Sequence, residues 1–180
     1  LGPSFPTRRS SDLNFSNNYV ATGLEAAYMA VSQEIFTSKL LDKLAIQVPK
    51  CNNLKLLTGF YNLELCEKAE ASFFKILIDA AKEIYDTIII NTNPDVFKVA
   101  TSVAIFNSTK TLVVSNANYT SARNANFILN ELIIKFNIPS KRFKIVLNNF
   151  SKNSLSEGTM FKLFKEYEIY GCIPYNSDKE

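Results

Sequence analysis

Apolar and polar positions along the 180-residue chain change their spacing several times, and each change predicts a new element. Residues 23–43 and residues 64–84 place apolar side chains at the three- and four-residue intervals of amphipathic helices. Between them, the short run LKLLTG ends at Gly59 and predicts a strand. The first half of the chain therefore predicts two long helices with one strand between them.

The second half contains four short apolar runs, TIIIN, TLVVSN, FKIVLNN and IYGCIP. Their apolar residues do not alternate with polar ones, which is typical of strands that are covered on both faces. Segments with helical spacing, residues 97–106, 121–136 and 156–167, lie between the runs. Regular alternation of helix and strand predicts an α/β fold, a doubly wound parallel sheet with helices on both faces.

Composition narrows the class of protein. Hydrophobic residues make up 47% of the chain and charged residues 21%, which is typical of one globular domain with a substantial core. A net charge of +3, without a run of lysines and arginines, does not favour direct nucleic-acid binding. No apolar run approaches the length of about 20 residues that a membrane-spanning helix needs, which leaves peripheral membrane association open.

Two residue types limit the chemistry. The chain has no histidine, which excludes Ser-His-Asp and Cys-His catalysis and any histidine-based metal site. Its three cysteines, Cys51, Cys66 and Cys172, are scattered and form no CxxC pair. An odd, dispersed set of this kind predicts a reducing compartment, and thus the cytoplasm, without disulfides or structural zinc.

Residues 1–13, LGPSFPTRRSSDL, differ in character from the rest of the chain. The stretch SFPTRRSSDL back-translates into a common sequencing-library adapter, so we interpret residues 1–13 as an adapter-derived, disordered artefact. A basic arm or transit peptide is the alternative, because arginine and serine predominate there. On the first interpretation, residues 14–180 are a partial domain whose native N-terminal part lies upstream.

Polar residues, glycine or proline mark the end of every predicted strand. In open parallel sheets, ligands bind beyond the carboxyl ends of the strands. The residues that occupy these ends are Gly59, residues 91–95, residues 115–119, residues 148–149 and residues 174–178. Each of these loops alone is a weak signal, because loops are commonly polar.

Taken in order, four of these segments resemble one family. YDTIIINTNP, VSNANYTSARNANFIL, IVLNNF and GCIPYNSD follow each other with spacing similar to the MinD/ParA family of deviant P-loop ATPases, including its CpaE/TadZ-like and flagellar-number branches. The resemblance covers residues 85–178. It implies a P-loop NTPase-like fold that binds ATP and Mg²⁺, dimerises with itself and recruits a protein partner of a positioning or secretion system.

The resemblance also implies roles for individual residues. The family's switch II loop corresponds to Asn91, Thr92, Asn93, Pro94 and Asp95. The family has an aspartate that organises the magnesium shell where this chain has Asn91. An amide lacks the negative charge that attracts a hard dication, so we expect weak metal binding and weak hydrolysis.

The adenine-binding elements of the family correspond to Asn148 and to Ile173, Pro174 and Tyr175. An amide suits adenine because a single side chain offers both a donor and an acceptor to the ring edge. The family pattern also makes Arg123 a candidate interface residue. The alternative for Arg123 is an ordinary solvated charge on a surface helix.

The family's GKGGxGKT phosphate loop is missing from residues 14–180, whose four glycines, at positions 23, 59, 158 and 171, are isolated. We therefore expect this fragment to bind ATP poorly or not at all. The resemblance predicts the C-terminal part of an ATP-dependent switch for cell division, flagellar, pilus or plasmid positioning. A non-hydrolysing scaffold of the same fold in a pilus or secretion assembly is the alternative. A flavodoxin-like or receiver-like domain fits less well, because Asp86 and Asp95 do not form an acidic cluster at the strand ends.

Overall fold

A computed structural model of the chain describes residues 23–151 and 154–175. The segment interpreted as adapter-derived, residues 1–13, lies outside the described residues. The chain forms two compact units that divide after Ala104.

The first unit is mainly helical. Its elements are α1 (Gly23–Ser32), α2 (Ser38–Leu44), β1 (Ile46–Gln47), β2 (Lys55–Leu56), α3 (Leu63–Lys68), α4 (Ala71–Lys82) and the start of α5 (Val99–Asn107). β1 and β2 pair antiparallel, with Ile46 opposite Leu56. The strand predicted in LKLLTG is therefore present, but it is only two residues long and belongs to a hairpin-like pair.

The core of the first unit forms where α1, α2 and α4 pack together. Its buried members are apolar side chains from these helices and the α3–α4 connection: Ala27, Leu41, Ala69, Phe73 and Leu77. Phe73 lies at the centre of an aromatic group, with its ring centroid 5.2 Å from that of Tyr28 and 6.0 Å from that of Phe60. The contact with Tyr28 is edge-to-face and that with Phe60 is tilted, and aromatic contacts of this kind add to the stabilisation from apolar burial.

Both long helices predicted in this half are broken in the structure. α1 ends at Ser32, and Glu34 takes the left-handed conformation at φ 60° before Thr37 caps α2 by accepting a hydrogen bond from the Leu40 amide. The second prediction fails in the same way, because α3 ends at Lys68 and α4 begins at Ala71. Apolar periodicity continues across both breaks, so it does not mark where the helices end. Thr37 caps α2 at the first break, whereas Glu70 at the second break makes no side-chain capping hydrogen bond.

The strand predicted in TIIIN is wrong. Residues 87–91 form no strand in the structure, and Ile88, Ile89 and Ile90 are 36%, 85% and 43% exposed. A strand requires a neighbour to complete its backbone hydrogen bonds, and none of the described residues pairs with this run. These β-branched, apolar residues therefore form no strand, because no described segment of the chain pairs with them.

The second unit is a three-stranded parallel sheet with helices. β3 (Thr111–Asn116), β4 (Phe143–Phe150) and β5 (Glu168–Pro174) pair in the order β3-β4-β5. α6 (Tyr119–Phe136) connects β3 to β4, and α7 (Glu157–Leu163) lies between β4 and β5. These elements confirm the predicted alternation and the predicted α/β class with a parallel sheet, although α7 is shorter than predicted.

One face of the sheet holds the core of this unit. Phe143, Ile145 and Leu147 of β4 are at most 2% exposed, and α6 packs against β3. On β3 the side chains alternate, and Leu112 and Val114 are 55% and 61% exposed. The apolar run of β3 therefore meets cover on one face only, where the sequence predicted cover on both.

Candidate functional site

The carboxyl ends of β3 and β4 meet at one edge of the parallel sheet. Asn116, the last residue of β3, lies directly opposite Asn148 of β4. The backbone of Asn148 accepts a hydrogen bond of 3.0 Å from the amide of Ala117, which extends the pairing one residue past β3. Two asparagines therefore occupy the edge where ligands bind in folds of this type.

Asn149 shapes this edge through its backbone. It takes the left-handed conformation at φ 54°, which asparagine tolerates better than most residues. Its side-chain amide donates a 3.1 Å hydrogen bond to Oδ1 of Asn116. The pairing of β4 with β5 shifts between Leu147 and Phe150, and Phe150 then pairs with Pro174.

The four residues expected to bind adenine lie at the ends of β4 and β5. Asn148 belongs to β4, Ile173 and Pro174 belong to β5, and Tyr175 follows β5 directly. Asn148 is half-buried, and its side-chain amide makes no hydrogen bond to another residue in the described part of the chain. Ile173 and Tyr175 are 50% and 48% exposed, and the Tyr175 amide donates to the Phe150 carbonyl at 2.9 Å. The fold thus collects Asn148, Ile173, Pro174 and Tyr175 at one edge, while their binding of adenine stays a prediction.

The chemistry of this group can be compared with that of a nucleotide base. The Asn148 side chain places an N–H donor and a carbonyl acceptor side by side, and the edge of adenine likewise places acceptor and donor atoms side by side. Ile173 and Pro174 supply apolar surface of the kind that packs against a flat ring. Amide recognition beside an apolar wall is therefore available without any charged group.

The switch II candidates lie in the first unit, where residues 91–95 are all exposed. Asn93 Oδ1 accepts a 2.9 Å hydrogen bond from the Asp95 amide, and Asp95 Oδ1 accepts one of 3.0 Å from the Phe97 amide. Thr101 of α5 donates its hydroxyl proton to the Asn93 carbonyl at 3.2 Å. Two successive side-chain turns therefore tie this loop to the start of α5, and both use residues that the sequence singled out.

The start of the YDTIII motif is held by Tyr85 through a charged network in the first unit. The Tyr85 hydroxyl donates to Asp42 Oδ1 at 2.8 Å, and Lys55 Nζ donates to the same oxygen at 2.5 Å. Burial, reinforced by the hydrogen bond to Asp42, raises the pKa of Tyr85 to about 12. The hydrogen bonds from Lys55 and then Tyr85 lower the pKa of Asp42. Tyr85 of this motif therefore serves a structural role.

The described residues do not fit the phosphates or the magnesium of ATP. No group of three or more His, Cys, Asp or Glu residues that could hold a metal occurs within residues 23–151 and 154–175. Asn91 is neutral, and the Asp95 carboxylate is engaged in a turn. Gly59 and Gly171 are isolated in the sequence, and a Cβ added at either would meet no atom within 4 Å, so neither belongs to a tight phosphate cradle.

Arg123 lies on the exposed side of α6, in its second turn. α6 begins after Asn118, whose side chain accepts a 2.9 Å hydrogen bond from the Ser121 amide. Among the ion pairs of the described chain, none involves Arg123. Its guanidinium is therefore presented to solvent, as both the interface and the surface-charge interpretations require.

Two residues at the sheet edge belong to the strand ends that the sequence marked, but the sequence assigned them no role. Asn116 and Asn149 lie beside Asn148 and are joined to each other by a hydrogen bond. The available signal was that TLVVSN and FKIVLNN both end in asparagine, because parallel strands in register bring equivalent ends together. Asn149 positions Asn116, while Asn148 keeps its amide available.

Comparisons with known proteins bear on the fold. No protein-family model matches the chain, and no curated protein sequence matches it. The structure is similar to that of a ParA family ATPase from Chlorobium tepidum TLS, with a TM-score of 0.74 and 21% sequence identity. The match covers 89% of this chain and 64% of that one.

The described helices include none that is long and apolar enough to cross a membrane. At 21% identity, the similarity to the ParA family ATPase establishes a shared backbone arrangement. The three-stranded parallel sheet, its flanking helices and this similarity together show that the chain has an α/β fold of the ParA-like P-loop NTPase type.

Proposed function

We propose that residues 14–180 are the C-terminal part of an ATP-dependent positioning or partitioning switch. The observation that carries this proposal is the sheet edge in the second unit. Asn116 and Asn148 lie in register there, Ile173 and Pro174 end the next strand, and Tyr175 follows it directly. The similarity to a ParA family ATPase supports it, because the edge belongs to the same type of fold.

In this proposal the described residues recognise the base and take no part in bond breaking. Asn148 hydrogen-bonds the edge of adenine through its amide, while Ile173 and Pro174 pack against the ring. Asn149 holds Asn116 in place at 3.1 Å and so keeps the edge open beside Asn148. ATP, when bound, supplies the γ-phosphate whose hydrolysis resets a switch of this class. Phosphate and magnesium binding are assigned to sequence upstream of Asn14.

Adenosine binding tests the base-recognition step separately from the phosphates. Saturation-transfer NMR on the 180-residue chain should detect adenosine, and uridine should give no comparable signal. Asn148→Ala should weaken adenosine binding at least fivefold, because the ring edge loses both hydrogen bonds. Asn124→Ala, at an exposed position on α6, is the matched control and should leave binding unchanged. Equal signals from adenosine and uridine, or unaltered adenosine binding by Asn148→Ala, would contradict the proposal.

A second candidate function is a non-hydrolysing scaffold of the same fold in a pilus or secretion assembly. Asn91 favours it, because the strand-end residue that the resemblance assigns to magnesium carries no charge. ATP turnover by a protein that includes the native upstream sequence distinguishes the two candidate functions. Background ATP turnover that Asn91→Asp raises at least tenfold supports the scaffold, whereas rapid turnover with Asn91 in place supports the switch.

Further parts of the proposal concern the molecule as a whole. We place the protein in the cytoplasm as a homodimer that recruits a protein partner, and we assign residues 1–13 to adapter sequence. Sequencing the source locus across the junction at Asn14 tests the last point. A reading frame that continues upstream through a GKGGxGKT loop supports the switch, while native codons for SFPTRRSSDL beside a start codon contradict it.

A further inference from the structure

α6 is an amphipathic helix whose inner side is accounted for by the fold. Ala122, Leu129 and Leu132 are buried on that side, and the helix contacts β3 and α7. Asn118 caps its start, and Asn137 ends it in the left-handed conformation at φ 53°. The helix is therefore well defined at both ends, and its 18 residues present a long outer side.

That outer side carries large side chains that the fold leaves uncovered. Tyr119, Phe127 and Ile134 are 54%, 65% and 77% exposed, and Arg123 is also exposed. These four residues, named here the α6 stripe, follow one another at intervals of four, four and seven, which places them on one side of the helix. The stripe extends about 22 Å along the helix axis at 1.5 Å per residue.

The charges around the stripe are predominantly positive. Arg123 has no ion-pair partner among the described residues, whereas Glu131 is already paired with Lys135 on the same helix. A polar cavity of about 190 Å³ borders the stripe through Asn126 and Asn130 of α6. Its other lining residues are Lys162, Leu163, Lys165 and Glu166.

Neither lysine of this cavity takes part in an ion pair of the described chain. The stripe and the cavity rim together therefore offer Arg123, Lys162 and Lys165 against the single carboxylate of Glu166. This excess of positive charge, next to a line of aromatic and aliphatic side chains, favours an occupant with both acidic and apolar groups.

We propose that the α6 stripe is a docking surface for an amphipathic helix of a partner protein that carries acidic residues beside its apolar side. The stripe has the length of a four-turn helix and the residue types, Tyr, Phe and Arg, that suit interface centres. A carboxylate of the partner pairs with Arg123, and acidic residues one turn to the side meet Lys162 and Lys165. A second copy of the chain is a poor occupant, because it brings the same excess of positive charge.

The proposal does not depend on nucleotide binding, and a display experiment tests it directly. A yeast-displayed library of amphipathic helices has a fixed leucine stripe and flanking positions that vary among Glu, Gln and Lys. The probe is the full 180-residue chain, and a parallel selection uses its Arg123→Glu variant. We expect the chain to enrich glutamate at the flanking positions, and Arg123→Glu to reverse the preference at the positions facing residue 123.

Variants of the stripe then measure its energetic role. Phe127→Ala should weaken the enriched peptides about tenfold, as truncation of an interface-centre aromatic does. Asn124→Ala, an exposed polar position on the same helix outside the stripe, should change affinity less than twofold. Because both positions are exposed, far-UV circular dichroism should show unchanged folding.

Several outcomes overturn the proposal. If the selected helices show no charge preference, or if Phe127→Ala binds them as tightly as the parent chain does, the stripe binds apolar peptides without specificity. Failure of the chain to enrich any helix excludes a helical partner. Sedimentation velocity that finds a dimer of the chain, dispersed by Phe127→Ala, assigns the stripe to contact between two copies.

Discussion

Arg142 ties the end of α5 to the start of β4, and its removal should destabilise the second unit. One nitrogen of its guanidinium, Nη2, donates to the carbonyls of Ile105 and Ser108, each at 2.5 Å. α5 ends at Asn107, so the Ile105 carbonyl is one of the acceptors that a helix leaves without an intrahelical partner at its C-terminus, and Ser108 follows the helix directly. Arg142→Met keeps most of the side-chain volume and removes both donors.

The expected cost follows from three contributions. Each hydrogen bond from a charged donor contributes about 1.5 kcal/mol at the lower end of the usual range, which suits a partly buried site. The positive charge at a helix C-terminus adds about 0.5 kcal/mol. Against these, Arg142 Nε is buried without a hydrogen-bond partner among the described residues, and removing it recovers about 1 kcal/mol. The net loss is about 2–3 kcal/mol.

Urea unfolding followed by far-UV circular dichroism measures this loss. With a slope of about 2 kcal/mol/M, the midpoint should fall by about 1 M. The matched control is Lys141→Met, which removes the exposed charge next to Arg142 and should shift stability by less than about 0.5 kcal/mol. If both variants unfold at the same urea concentration, the hydrogen bonds from Arg142 to the carbonyls at the end of α5 do not contribute to stability, and the prediction is refuted.

Three other predictions concern stability. The hydrogen bond from Tyr85 to Asp42 should stabilise the first unit fully below pH 10, and this contribution should disappear as the pH rises to about 12, because the pKa of Tyr85 is raised in the folded protein. Thermal unfolding of Tyr85→Phe and of the parent chain across that pH range tests this. Glu34→Gly should stabilise the chain by about 0.5–1 kcal/mol, since glycine adopts the observed φ of 60° without strain, and a lower melting temperature would contradict this. Ile145→Ala should cost about 3 kcal/mol by chemical denaturation because Ile145 is 0% exposed, whereas Val114→Ala, at 61% exposure, should cost under about 1 kcal/mol.

The second unit was predictable because local patterns and tertiary pairing agree there. Each apolar run of β3, β4 and β5 has a hydrogen-bonded parallel neighbour, and the helical spacing of α6 matches a buried side that packs on the sheet. The asparagines at the ends of β3 and β4 were visible in the sequence, and their parallel pairing brings them together. The register shift between Leu147 and Phe150 was not visible, because the sequence does not show that Asn149 takes the left-handed conformation there.

The first unit was less predictable because apolar pattern and backbone pairing diverge. Residues 88–90 have the composition of a buried strand, yet an apolar run indicates only a preference for burial and does not provide a neighbour. The breaks before α2 and α4 have the same origin, since periodicity reports a buried side and says little about helix ends. Thr37, which accepts a hydrogen bond at the start of α2, was the sequence signal for the first break, whereas Glu70 before α4 makes no side-chain capping hydrogen bond.

The two parts of the candidate site should respond independently to mutation. Base recognition is assigned to Asn148 and its neighbours at the sheet edge, whereas Asn91 lies in an exposed loop of the other unit and lacks the charge that a metal needs. Asn91→Asp should therefore leave the affinity of the 180-residue chain for adenosine unchanged within twofold, while Asn148→Ala weakens it. With upstream sequence present, Asn91→Asp should instead make nucleotide affinity more dependent on magnesium, because it adds the missing carboxylate. Isothermal titration with adenosine and with ATP, each with and without magnesium, separates these effects. A change in adenosine affinity on Asn91→Asp would show that the two parts form one coupled site and would contradict this assignment.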